Sequence, residues 1–169
     1  MNIQNTTLCY IRRPGEGGEE YLMLYRNKKK NDQNAGKWIG VGGRFEPGES
    51  PEECLSREVR EETGLALTDY ALRGIVTFVL EGWGTEYMFL YTAHAEGVLT
   101  ECDEGELRWI PKAEVPALPL WTGDRIFLSL IADEDRPFFS LKLSYDKTDV
   151  LTEALLDGTP IDISFALQK

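Results

Sequence analysis

Gly43-Arg44-Phe45-Glu46-Pro47-Gly48-Glu49-Ser50-Pro51-Glu52-Glu53-Cys54-Leu55-Ser56-Arg57-Glu58-Val59-Arg60-Glu61-Glu62-Thr63-Gly64-Leu65 is the stretch on which the reading of this 169-residue chain turns. Its second half carries a full set of helix signals. Ser50 is a good N-cap, Pro51 suits the first helical position, and Glu53 completes a Ser-x-x-Glu capping box. Gly64 supplies the left-handed stop. These signals predict a helix over Pro51–Thr63. Leu55 and Val59 fall on a face that anchors it in a core. Glu58, Glu61 and Glu62 lie within about 100° of one another beside that face. Like charges at i, i+3 and i, i+4 repel, and the last turn of a helix disfavours negative charge. Arg57 relieves part of this by reaching Glu61 at i, i+4. On the helix alone, a solvated acidic face and a cation site fit equally well, since hard cations such as Mg²⁺ take oxygen ligands.

The preceding loop separates these readings. The whole run matches the Nudix box, G-x5-E-x7-R-E-U-x-E-E-x-G-U with U a bulky aliphatic residue, at every specified position. By average residue usage a chance match in a chain this long is on the order of 10⁻⁷. The chain therefore resembles the Nudix hydrolases. The resemblance implies an α/β fold, a mixed β-sheet sandwiched between α-helices, with the box forming loop, helix and loop. It also implies a metal site that takes Mg²⁺, with Mn²⁺ able to substitute. Glu58, Glu61 and Glu62 match the metal-binding glutamates, and the carbonyl at Gly42 matches a further ligand. Arg57 matches the arginine that orients a catalytic glutamate, and Glu49 supports the loop. Glu58 is the first choice of general base, and Arg57, Glu58 and Glu61 form the expected catalytic group. Gly42 and Gly43 let the backbone approach metal and phosphates closely.

Outward from the box, Thr6–Arg12, Tyr21–Tyr25, Trp38–Val41, Leu72–Leu80, Glu86–Thr92 and Leu107–Ile110 read as strands. The first two are expected to form a hairpin around Pro14–Gly18, and Glu81–Gly84 to turn between two others. Asp124–Ala132 reads as a second helix, with Ile126, Phe127, Leu130 and Ile131 on one side. Phe138–Leu143 and Val150–Leu155 read as a terminal hairpin around Asp146–Asp149. Strands interrupted by two separated helices give a layered α/β domain with a mixed sheet. No linker or repeat divides the chain, so residues 1–169 are expected to form one domain.

Composition narrows the partners. Eighteen basic residues against 29 acidic ones give a net charge of −11. A duplex binder shows a basic stripe, so no nucleic-acid duplex is expected. The one basic cluster, Arg26 with Lys28, Lys29 and Lys30, reads as an exposed loop. An acidic protein still binds a phosphate substrate where divalent cations mediate the contact. No apolar run is long enough for a membrane span, and the first residues lack signal-peptide regions. Cys9, Cys54 and Cys102 read as buried or free thiols, so a cytoplasmic location is expected.

The box leaves the leaving group open. Gly36–Gly43 and Leu120–Asp124 resemble the MutT-like group that sanitises oxidised purine triphosphates. That resemblance implies a small-molecule nucleotide substrate, with Trp121 packing on the purine and Asp124 bonding to its edge. It implies Gly43 and Ile39 beside the substrate, and Glu104 as an extra acidic metal ligand, with Asp103 and Glu106 as close alternatives. Two departures alter the base contact. The relatives carry an asparagine where this chain has Ile39, and two adjacent aspartates where it has Gly123-Asp124. The expected reaction is Mg²⁺-dependent hydrolysis of a nucleoside triphosphate, 8-oxo-dGTP foremost, to monophosphate and pyrophosphate. A pyrophosphatase for ADP-ribose, a nucleotide sugar or a dinucleotide is the alternative, and a non-catalytic nucleotide sensor is a weaker one. His94, Trp83 and Trp109 read as structural.

Overall fold

A computed structural model describes residues 2–167. The capping signals around the box produce the helix they predict. Helix α1 spans Pro51–Thr63. Ser50 accepts from the Glu53 N–H, the Glu53 side chain accepts from the Ser50 N–H, and Gly64 ends the helix at φ 77°. Strands β1 (Asn2–Gly15) and β2 (Gly18–Arg26) form the expected hairpin, followed by the short β3 (Trp38–Ile39). Beyond α1 come β4 (Ala66–Leu80), β5 (Gly84–Glu96) and β6 (Gly105–Pro111). Helix α2 covers Asp124–Ile131, and β7 (Phe139–Tyr145) and β8 (Leu151–Leu156) make the terminal hairpin.

The strands join in one mixed sheet of order β3-β2-β1-β5-β4-β7-β8-β9, with β6 on the other side of β2. The last strand, β9, is Thr159–Pro160. Strand β1 runs parallel to β5 and β4 runs parallel to β7, while the remaining pairs are antiparallel. Side chains alternate across a sheet, so each central strand feeds both faces. In β1, Cys9 and Ile11 pack with Leu55 and Val59 of α1, while Leu8 and Tyr10 pack with Ile126 and Phe127 of α2. The sheet is thus covered by a helix on each face. Tyr91 of β5 donates to Glu52, which ties the start of α1 to the sheet.

Several elements exceed or escape the sequence reading. Strand β1 begins at Asn2, because Asn2 onward pairs with β5 from Gly84. Strand β4 begins at Ala66, because it pairs with β5 back to Glu96. Polar residues enter these strands because the neighbouring strand offers a ladder, which no apolar pattern records. A 3₁₀ segment at Lys112–Ala117 and a short helix α3 at Ser164–Leu167 also lack a periodic signal.

Candidate active site

The site grows from the α1 loop. Arg57 reaches back to Glu49 with two nitrogens, Nε at 2.5 Å and Nη2 at 3.0 Å, and Nη2 also donates to the Arg44 carbonyl. This fork clamps the loop over the helix. It holds the Glu49 carboxyl down to about 2, since two guanidinium bonds favour the charged form. Nη1 of Arg57 donates to Glu58 at 2.8 Å and to Glu61 at 3.2 Å. The arginine thus bonds to Glu49, Glu58 and Glu61, three of the four glutamates that the box specifies.

Gly42 and Gly43 stand where neighbouring groups leave no room for a side chain. Gly42 sits at φ 154°, and a Cβ there would fall 1.9 Å from the Thr7 carbonyl oxygen. A Cβ at Gly43 would fall 2.5 Å from the Glu58 carboxyl carbon. The Gly42 N–H donates to Glu62 at 3.0 Å. Glu62 is only 6% exposed. Burial, with Glu104 adding repulsion, pushes its carboxyl up to about 9. Burial also raises Glu58. Such pressure toward the neutral form is relieved by a cation.

The other predicted ligands divide. Glu104 lines the same cleft as Glu58 and Gly42, whereas Glu106 pairs with Arg108 outside it. Glu61 is 59% exposed at its side chain and is turned toward Arg57. Among the described residues, no three acidic, histidine or cysteine side chains are gathered closely enough to chelate an ion as they stand. The donor set around Gly42 is nonetheless all oxygen, which fits a hard divalent ion.

Arg26 corrects the reading of the basic cluster as an exposed loop. It is 7% exposed, and it donates to Asp32 at 2.7 Å and to Glu104 at 2.8 Å. Its neighbour Lys29 lies 3.8 Å from Glu104. The sequence missed Arg26 and Asp32 because nothing local distinguishes a buried ion pair from a solvated loop.

The cleft has a volume of about 670 Å³ and runs from this acidic end to the start of α2. Ile39, Gly43, Trp121 and Asp124 all line it, together with Phe78 and Glu86. Trp121 meets Phe78 and Tyr145 edge-on, each at 5.0 Å between ring centroids. Its indole N–H donates to Asn34 at 2.8 Å, and Lys37 Nζ lies 4.2 Å from its ring centre. A base stacking on that side must move the lysine aside. Burial pushes Asp124 up to about 8, with Glu86 adding to the shift. Trp83, expected only to cover the sheet, also borders the cleft and meets Phe78 edge-on. Trp109 packs in the α1-side core under Arg13, and His94 pairs with Asp69 on β4.

Comparison with known proteins agrees with this geometry. The NUDIX domain model matches residues 3–131. An oxidized purine nucleoside triphosphate hydrolase from Danio rerio is 32% identical over 154 residues, covering 89% of this chain and 92% of that protein. The Nudix hydrolase YvcI of Bacillus subtilis is 28% identical over 128 residues, covering 72% of this chain and 75% of its own length. The crystal structure of a mutator MutT protein from Bacillus halodurans superposes with TM-score 0.78 at 28% identity. That match covers 93% of this chain and 99% of the other. Nudix hydrolases generally use divalent metal ions, and no helix among the described residues is long and apolar enough to cross a membrane. A box complete at every specified position, folded as loop, helix and loop beneath a cleft, and a family match spanning most of the chain lead to one conclusion: this chain belongs to the Nudix hydrolase family.

Proposed function

We propose that this chain hydrolyses a nucleoside triphosphate with an oxidised purine, 8-oxo-dGTP foremost, to the monophosphate and pyrophosphate, using Mg²⁺. The observation that carries this reading is a cleft with an acid-and-glycine end at Gly42, Gly43 and Glu58 and an aromatic-and-acid end at Trp121 and Asp124. A nucleotide has the same two-ended chemistry. The similarity to an oxidized purine nucleoside triphosphate hydrolase over 89% of the chain supports the same substrate class.

Glu58, Glu61, Glu62, Glu104 and the Gly42 carbonyl would hold the ion, with Mn²⁺ able to replace Mg²⁺. Bound there, it neutralises phosphate oxygens and lowers the pKa of water. Glu58 accepts the proton of the attacking water at a carboxylate oxygen. Arg57 keeps the carboxylate oriented through its 2.8 Å bond to Oε1. Gly43 leaves room for the carboxylate to stand over the loop. At the far end, Trp121 stacks on the purine and Asp124 bonds to its edge, the usual way to read an unpaired base. Ile39 adds only apolar contact there.

A substrate panel with product identification tests the reading. The expected result is the highest kcat/KM for 8-oxo-dGTP, with monophosphate and pyrophosphate as products. Preference for ADP-ribose, a nucleotide sugar or a dinucleotide would replace it with the alternative pyrophosphatase activity.

A further inference from the structure

One carboxylate in the cleft belongs neither to the box nor to the Trp121–Asp124 end. Glu86 stands on β5 directly opposite Phe78 of β4 and Gln4 of β1. Directly opposed side chains on one face of an antiparallel pair lie about 4.5–5.5 Å apart at Cβ. Glu86 therefore borders the Phe78 ring, which meets Trp121 edge-on at 5.0 Å. Two side chains of β1 fix it. Gln4 Nε2 donates to one carboxylate oxygen at 3.0 Å, and Thr6 Oγ1 donates to the other at 2.9 Å. Both partners are neutral and sit on a sheet strand, so the acid is placed before any ligand arrives. A carboxylate has about four acceptor positions, and these bonds use two.

The opposite wall carries Asp124 at the start of α2. At Gly123, a Cβ would fall 2.6 Å from the Tyr145 hydroxyl oxygen and 2.6 Å from Leu143 Cδ1. A side chain there would have to push Leu143 and Tyr145 aside, and the glycine leaves no second acid beside Asp124. Ile39 offers no hydrogen bond through its side chain. Asp124 and Glu86 are acidic side chains on different elements that line the same cleft.

We propose that Glu86 is a specificity-determining residue whose carboxylate accepts an N–H of the 2-amino group on the purine edge. This rests on the reading that the base binds at Trp121 and Asp124. The chemistry selects a guanine-type edge, whose N1–H and 2-amino group are adjacent donors. An adenine-type edge carries no 2-amino donor for Glu86, and an acceptor buried without a donor is disfavoured.

The test is steady-state kinetics of the full chain with Mg²⁺ on dGTP and dITP, which differ only in the 2-amino group. Wild type is expected to favour dGTP in kcat/KM. Glu86→Gln replaces one acceptor oxygen with a donor and should shrink that preference by roughly ten- to hundredfold, the range for a hydrogen bond to a charged group. Gln4→Leu leaves the acid in place but removes one of its holders, and should shrink the preference by less, in the same direction. If Glu86→Gln does not fold, judged by its thermal melt, Gln4→Leu decides alone. Trp121→Ala is the control and should raise KM for both nucleotides. A dGTP/dITP ratio held within about twofold in the Glu86 and Gln4 variants, with KM raised in Trp121→Ala, would overturn the role of Glu86 and leave the base end standing. Unchanged KM in Trp121→Ala would remove the base end and the Glu86 proposal with it.

Discussion

At the scale of single residues, the site is defined by what has been made small and what has been buried. Gly43 leaves room for the Glu58 carboxyl, which a Cβ would meet at 2.5 Å. Gly43→Ala should therefore displace Glu58 and lower kcat, while the capping box keeps α1 intact by circular dichroism. Wild-type turnover in that variant would show that the close approach has no role. Glu58→Gln should lower kcat by roughly 10²–10⁴-fold, the range for a lost general base. Full turnover in the folded variant would remove Glu58 as the base. Asp124 links the site to stability. Burial pushes its carboxyl up to about 8, against about 4 in an unfolded chain. Between those values the folded chain holds the extra proton, so this residue makes stability fall as pH rises from ~4 to ~8, then level off. Asp124→Asn should raise the melting temperature over wild type at pH 8 and much less at pH 4. A difference that stays constant across that range would contradict a buried, neutral Asp124.

At the scale of elements, the loop and helix of the box act as one piece through Arg57. Its Nε and Nη2 grip Glu49 and Nη1 holds Glu58, so the guanidinium fork spans the loop and the acidic face. Lysine offers a point charge and no fork. Arg57→Lys should lower kcat/KM by about 10²-fold, the effect of misplacing reacting groups by about an ångström. It should also make Arg44–Glu49 more susceptible to limited proteolysis. Unaltered kinetics would mean that the loop needs no clamp. This element was also the most legible part of the sequence, because its start and stop are written in local chemistry at Ser50, Glu53 and Gly64. Strands β1 and β4 were underread at their ends, where Asn2–Asn5 and Ala66–Ala71 extend only because β5 lies alongside. The end of β2 was misread at Arg26, whose partners Asp32 and Glu104 include one 78 residues away. Glu86 carried no signal, being one glutamate in a strand until Gln4, Thr6 and Asp124 are placed around it.

At the scale of the whole molecule, the fold brings together residues from distant parts of the chain. The parallel pairing of β1 with β5 sets Gln4, Thr6 and Glu86 on one wall, α1 supplies the acids, and α2 opens with Asp124 on the other. The box was legible because its residues are contiguous, and the cleft was not, because its walls meet only through sheet pairing. A net charge of −11 means that the chain itself repels a polyphosphate, so the chemistry proposed here requires a divalent ion between them. The most direct measurement follows 8-oxo-dGTP hydrolysis by the purified, metal-stripped chain, with Mg²⁺ and with excess EDTA, identifying the products. The account predicts monophosphate and pyrophosphate with Mg²⁺ and loss of turnover in EDTA, while full turnover in EDTA would contradict it.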